Sequence, residues 1–307
     1  MSLSTKARAT VAMAVAMGIW GLSFLVVKDA VATIPIYWLL FVRFAIASVL
    51  LGGFLAFRRG LRLPRRDLLF LAGLSILSPI GYFLFETHGI ALTQASHVAL
   101  LIATIPIIVF LIAAARRQET FSWLKIVGIV GAFIGILITV GTSLNEPGAS
   151  WIGDLLVLGA VLCAAVRTVL LKDALERISP MQLTFYQFLF SLVVFGPLAA
   201  ATDTAWVSQL SPLLIGEVLF LGILCSAVAF LCLHFALKHL SASQVAVAAN
   251  GVPIITLFAE AALLGVGISP LKAIGTAIVI LSVTLAQIAG RRQERPDAWV
   301  EEGPPSA

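Results

Sequence analysis

Apolar residues in this chain come in long unbroken runs separated by short polar links. The runs show neither the 3.6-residue period of a surface helix nor the alternation of a half-buried strand. They predict helices over 11–33, 36–57, 68–92, 96–115, 122–142, 153–175, 180–201, 212–235, 242–264 and 269–289. At about 1.5 Å per residue, runs of this length cross a hydrocarbon layer of about 30 Å with some tilt. The links carry chain-turning residues: Pro35, Pro64, Asn145-Glu146-Pro147-Gly148, Pro180, Pro212 and Pro270. The first run starts behind Lys6 and Arg8 and continues to Val27 with no small-residue cleavage site after it, so it reads as a retained helix, not a signal peptide.

Composition narrows the choice. Hydrophobic residues make up 60% of the 307, charged residues 11%, and the mean hydropathy is +1.07. A soluble domain needs far less apolar residue than this. Lipid tolerates no unpaired backbone, which leaves helix bundles or closed barrels, and the run length selects helices. The expected fold is therefore an all-α integral membrane protein of ten transmembrane helices, with a polar, Pro-rich tail at 290–307 read as disordered.

Charge gives the helices a direction. With the N-terminus placed in the cytoplasm, the inner segments hold Lys6, Arg8, Arg58, Arg59, Arg62, Arg65, Arg66, Arg116, Arg117, Lys125, Lys172, Arg177, Lys238, Arg291, Arg292 and Arg295. The outer side keeps only Lys28 and Lys272, and Arg43 and Arg167 fall inside helices. This bias puts both termini in the cytoplasm of a cell (inner) membrane. It also accounts for the net charge of +5 through the anionic inner leaflet, without nucleic acid. Cys163, Cys225 and Cys232 lie in apolar runs and read as packing residues.

The chain repeats. Ala95-Ser96-His97-Val98-Ala99, then Pro106-Ile107-Ile108, Lys125 and Gly128, recur as Ala242-Ser243-Gln244-Val245-Ala246, Pro253-Ile254-Ile255, Lys272 and Gly275. Lys28-Asp29-Ala30 recurs as Lys172-Asp173-Ala174. The units are 11–142 and 153–289, five helices each. An odd number inverts the second copy, the arrangement of secondary transporters.

Candidate chemistry lies inside the membrane. Pro106 and Pro253 interrupt helices 4 and 9 at matching places, and a proline there frees a carbonyl one turn back. Trp20 and Tyr82 fall in mid-helix, where an indole N–H or phenol O–H needs a partner, while Trp38, Trp123, Trp151 and Tyr37 mark helix ends. Arg43 and Glu86 share a depth of roughly 10 Å by helix rise, so a structural ion pair between them is expected, with His88 at the same level. Arg167 on helix 6 is the candidate for a substrate carboxylate. Ser243 and Asn250 share a face of helix 9. Gly131-Ala132-Phe133-Ile134-Gly135 is a close-packing motif, used within the subunit or across a homodimer. There is no phosphate loop and no paired-histidine metal motif, so no ATP, metal or other cofactor is implied.

Taken in order, Trp20-Gly21-Leu22-Ser23-Phe24, Arg43-Phe44, Ala95-Ser96 with Pro106, Glu119 with Gly128, Ser179-Pro180, Ala242-Ser243 with Pro253, and Gly275 resemble the drug/metabolite transporter superfamily in its EamA-type branch, over about residues 11–290. That resemblance implies two inverted EamA repeats around a central cavity. It also implies export of small molecules, and the chain is similar to bacterial exporters of aromatic and other neutral amino acids. Val266 stands where the second half would repeat Glu119, so Glu119 reads as structural. The expected substrate contacts are Trp20, Ser23, Tyr82, Glu86, His88, Arg167, Ser243 and Asn250, reached by alternating access as one repeat rocks against the other. Drug or nucleotide-sugar transport in the same fold, a passive channel and a membrane-integral lipid enzyme stay as alternatives. The enzyme is disfavoured because the inner loops offer mostly Arg.

Overall fold

A computed structural model describes residues 4–115, 123–143, 150–171, 177–240, 245, 248–265 and 267–293. Among them every regular element is helical. The ten principal helices are α1 (Thr5–Thr33), α2 (Ile36–Phe57), α3 (Arg65–Leu92), α4 (Ala95–Ile102 continued by Ile105–Ala115), α5 (Trp123–Ser143), α6 (Trp151–Leu171), α7 (Pro180–Ala200), α8 (Pro212–His239), α9 (Gly251–Leu264) and α10 (Pro270–Gln293). Seven are long and apolar enough to span a membrane; α5, α9 and α10 contribute shorter apolar stretches. The predicted runs match these helices in number and type. α10 continues past 289 to Gln293, and the rest of the predicted tail lies outside the described residues.

The outward faces carry large apolar residues such as Leu69, Leu137, Val193 and Leu281, each about 70% exposed, as lipid-facing positions should be. Capping is local and legible. Ser179 accepts from the Gln182 backbone at the start of α7 with Pro180 behind it, and Gln182 reaches back to Ser179, closing a capping box.

Packing follows the repeat. α5 lies along α10 and α2 along α7, each helix against its own counterpart. The other contacts are crossed: α1 packs on α8 and α9 of the second half, and α6 packs on α3 and α4 of the first. The halves are thus interlocked, and the compact bodies are α1–α8–α9 and α3–α4–α6. The α5–α10 seam is close: a Cβ at Gly135 would meet the Gly275 carbonyl oxygen at 2.7 Å. Gly131 and Gly135 therefore serve a contact within the chain.

Four breaks in the helices lie near the middle of the bundle. α3 widens to π-helix over Ile76–Gly81, where Ser78 leaves helical geometry (φ −155°, ψ 127°). α8 widens over Phe220–Val228, its counterpart in the second half. α4 breaks at Ala103–Thr104, three residues before Pro106, and α9 starts at Gly251 behind Asn250, three residues before Pro253. A proline's ring clashes with the carbonyl four residues back, so each helix gives way just after that carbonyl.

Candidate functional site

Widened helical turns are rare and frequently mark function, and here both draw polar side chains into the bundle. At the α8 turn, Trp20 on α1 donates its indole N–H to the Cys225 carbonyl at 3.3 Å. Arg43 on α2 donates Nε to Ser226 Oγ at 3.1 Å and Nη2 to Cys225 Sγ at 3.2 Å. Ser226 in turn donates to the Leu221 carbonyl at 2.8 Å, five residues back. Ser23, buried beside Trp20, donates to the Trp20 carbonyl at 2.9 Å.

At the α3 turn the arrangement repeats with different side chains. Gln187 on α7, whose position in the second half matches Arg43, donates Nε2 to the Ser78 carbonyl at 2.9 Å. Its Oε1 accepts from Arg167 Nη2 at 2.9 Å, and Arg167 Nε is buried with no partner among the described residues. Further along α3, Tyr82 donates its hydroxyl to Glu86 Oε1 at 2.9 Å. On α8, His234 Nδ1 lies 3.0 Å from Thr184 Oγ1.

Aromatic rings join the two turns. Phe230 meets Trp20 edge-on at 5.3 Å between centroids, Phe188 at 5.5 Å and Phe83 at 6.4 Å. The Arg43 guanidinium carbon lies 4.7 Å from the Phe83 centroid and 5.4 Å from that of Phe44. Edge-to-face pairs add about 0.5–1.5 kcal/mol each beyond the area they bury, so the wall is stiff as well as apolar.

The expected Arg43–Glu86 ion pair is corrected. Among the described residues these two groups make no contact within 4 Å. Helix rise places them at one depth but says nothing of the direction each side chain takes around its helix. Arg43 turns to α8, and Glu86 is taken by Tyr82 one turn earlier on its own helix. Trp20, Ser23, Tyr82 and Glu86 surround the aromatic wall with Arg43, and Arg167 joins through Gln187. His88 sits apart, its Nδ1 2.7 Å from the Leu84 carbonyl and its ring 5.8 Å from that of Tyr37. Asn250 turns to α10, where Nδ2 donates to Thr284 Oγ1 at 2.9 Å. Ser243, Glu119 and Val266 lie outside the described residues. Cys225, Ser226, Phe230 and Gln187 were missed by the single-sequence reading. At the repeat's own spacing of 147 residues Cys225 falls on Ser78 and Phe230 on Phe83, a match between ordinary small and apolar residues that gave no signal.

The two ends of the bundle differ. At the C-terminal end of α1, Lys28 Nζ donates to the last carbonyls of α3, those of Ile90 (3.1 Å) and Thr93. Lys272 on α10, 1% exposed, donates to Gln94 Oε1 at 2.8 Å and lies 3.5 Å from Glu260 Oε2. Thr93 Oγ1 donates to Asp154 at the start of α6 at 2.8 Å, and His97 Nδ1 is 3.4 Å from the same carboxylate oxygen. Lys28 therefore ties α1 directly to the end of α3, and Lys272 links α9, through Glu260, to the α3–α4 turn. At the opposite end a groove of about 380 Å³ opens between α1, the end of α8 and the start of α9, lined by Met13, Met17, Leu240 and Gly251. Among the described residues no three His, Cys, Asp or Glu side chains group as metal ligands.

The sequence model of the EamA-like transporter family matches residues 8–141 and 151–287. An "Uncharacterized transporter" of Archaeoglobus fulgidus is 26% identical over 274 residues, covering 89% of this chain and 96% of that protein. A protein of Streptantibioticus cattleyicolor named "Probable terminal-alkyne amino-acid exporter" is 28% identical over 261 residues, covering 82% and 84%. A solved crystal structure superposes with a TM-score of 0.68 at 17% identity, covering 93% of this chain and 98% of its own, which bears on the fold alone.

Proposed function

The chain belongs to the EamA-like transporter family, and from that membership we propose that it is a secondary exporter of amino acids, aromatic and other neutral ones foremost, and of related small metabolites. The observation that carries the reading is the centre of the bundle. An aromatic wall of Trp20, Phe83 and Phe230 stands with one guanidinium (Arg43), bonded to the widened turn of α8, and one carboxyl group (Glu86), just beyond that of α3. Aromatic faces suit ring-bearing or apolar side chains. Buried ionisable groups inside a membrane are expensive to keep and commonly mark a substrate path. The relative named as an amino-acid exporter supports the same class.

In this reading the membrane is the bacterial inner membrane, and the basic bias places both termini in the cytoplasm. The lysine-tied end then faces outward, and the groove beside Met17 faces the cytoplasm. Alternating access moves α1–α8–α9 against α3–α4–α6, which the interlocked packing favours over movement of whole repeats. A two-state carrier needs no cofactor and no second chain.

Counterflow tests the proposal. Proteoliposomes preloaded with unlabelled phenylalanine or threonine should accumulate the labelled amino acid transiently and saturably. Vesicles of folded protein that exchange neither, while exchanging a lipophilic drug or a nucleotide sugar, would overturn the amino-acid assignment and leave the transporter fold standing.

A further inference from the structure

Arg43 and Glu86 are both buried (1% and 5% exposed), of opposite charge and on neighbouring helices, yet they do not touch. Each is held by neutral groups. Arg43 has Ser226 Oγ, Cys225 Sγ and two phenyl rings; Glu86 has the Tyr82 hydroxyl. Phe83 is shared by both surroundings: the guanidinium lies 4.7 Å from its centroid and the Tyr82 ring meets it with centroids 5.0 Å apart. Two opposite charges in a low-dielectric interior gain most by pairing directly. Here the supporting hydrogen bonds leave them out of direct contact.

We infer that Arg43 and Glu86 form a split ion pair that reads a zwitterion: the guanidinium takes the α-carboxylate of the substrate and the Glu86 carboxylate takes its α-ammonium. The inference rests on the amino-acid reading above and assigns its two backbone contacts. A bound zwitterion inserts its charges in complementary order and neutralises both residues at once. Its side chain is left to the Trp20–Phe230 wall. A molecule with only one of the two charges satisfies one residue and strands the other, and a stranded buried charge loses binding. Arg167 is not the partner in this arrangement, since Gln187 ties it to the α3 turn.

The test is phenylalanine counterflow in proteoliposomes with three external competitors: phenylalanine, phenylalaninamide (a cation without the carboxylate) and 3-phenylpropionate (an anion without the ammonium). In the wild type each singly charged analogue should compete roughly tenfold or more weakly than phenylalanine, the loss expected for one charged hydrogen bond. In Arg43→Gln the handicap of the amide should vanish while that of phenylpropionate stays; in Glu86→Gln the reverse should hold. Analogues that compete as well as phenylalanine in the wild type would overturn the inference, and that arm needs no variant to fold. Variants that still exchange phenylalanine and keep both handicaps would overturn it too. A wild type that exchanges no amino acid would remove the proposed function and this inference together, whereas exchange with flat charge selectivity removes the inference alone.

Discussion

The lysine-tied end can be loosened by one substitution. Lys272 lies at the start of α10, bonded at once to Glu260 on α9 and to Gln94 at the α3–α4 turn. Opening that end parts α9 and α10 from α4, so it breaks the Gln94 link and spares the Glu260 contact. Only the link that differs between the two states shifts their balance. A hydrogen bond from a charged donor contributes about 1.5–3 kcal/mol, so Lys272→Met should move the closed-to-open ratio by roughly 10- to 100-fold. The assay is alkylation of a cysteine placed at Val98, which is fully buried one turn beyond Gln94, with Cys163, Cys225 and Cys232 replaced by alanine. A membrane-impermeant maleimide applied from the lysine-tied side should label Val98→Cys at least several-fold faster when Lys272 is methionine. Gln94→Leu, which removes the other half of the same bond, should raise the rate by a similar factor. An unchanged labelling rate in folded Lys272→Met protein would refute the gating role of that contact.

Three more perturbations test the framework. Gly135→Leu would drive a side chain into the Gly275 backbone 2.7 Å away, and should lower detergent thermal stability by more than the same change at Gly53, where nothing lies within 4 Å. Gln187→Leu strips partners from Arg167 and the Ser78 carbonyl, and should cost about 2–5 kcal/mol, read as a lower unfolding midpoint, while the isosteric Gln187→Glu keeps the Arg167 contact and should cost less. Trp20→Phe keeps the edge-on contact with Phe230 and loses the bond to Cys225, so its apparent affinity in counterflow should fall less than that of Trp20→Ala, which loses both.

Helix number and type were legible because lipid imposes a simple rule: long apolar runs must be helices that satisfy their own backbone. The inverted repeat was legible because prolines and lysines kept step where apolar residues match by chance. The interior of the site was less so. Depth along a helix could be counted for Arg43 and Glu86, but the direction of each side chain depends on the turn it sits on. The widening of α3 had Pro79 as a signal; that of α8 carries no proline in Phe220–Val228 and left no mark in the sequence. Phe230, the ring that meets Trp20, reads as ordinary apolar filling even when the repeat is aligned, because it falls on Phe83. The two lysines left over from the basic bias, Lys28 and Lys272, turned out to be bonded across the bundle. The charge rule explains cytoplasmic lysines by their topology, so lysines that break it need a reason of their own.

The central claim is that substrate sits among Trp20, Arg43, Glu86 and the α8 turn, and Cys225 is a native reporter inside that cluster. With Cys163 and Cys232 replaced by alanine, the rate of Cys225 alkylation by a small permeant reagent should fall several-fold when a saturating transported amino acid is added, with half-protection at the concentration that half-saturates counterflow. A rate that stays the same while the protein is saturated and transporting would place the substrate elsewhere and contradict the account.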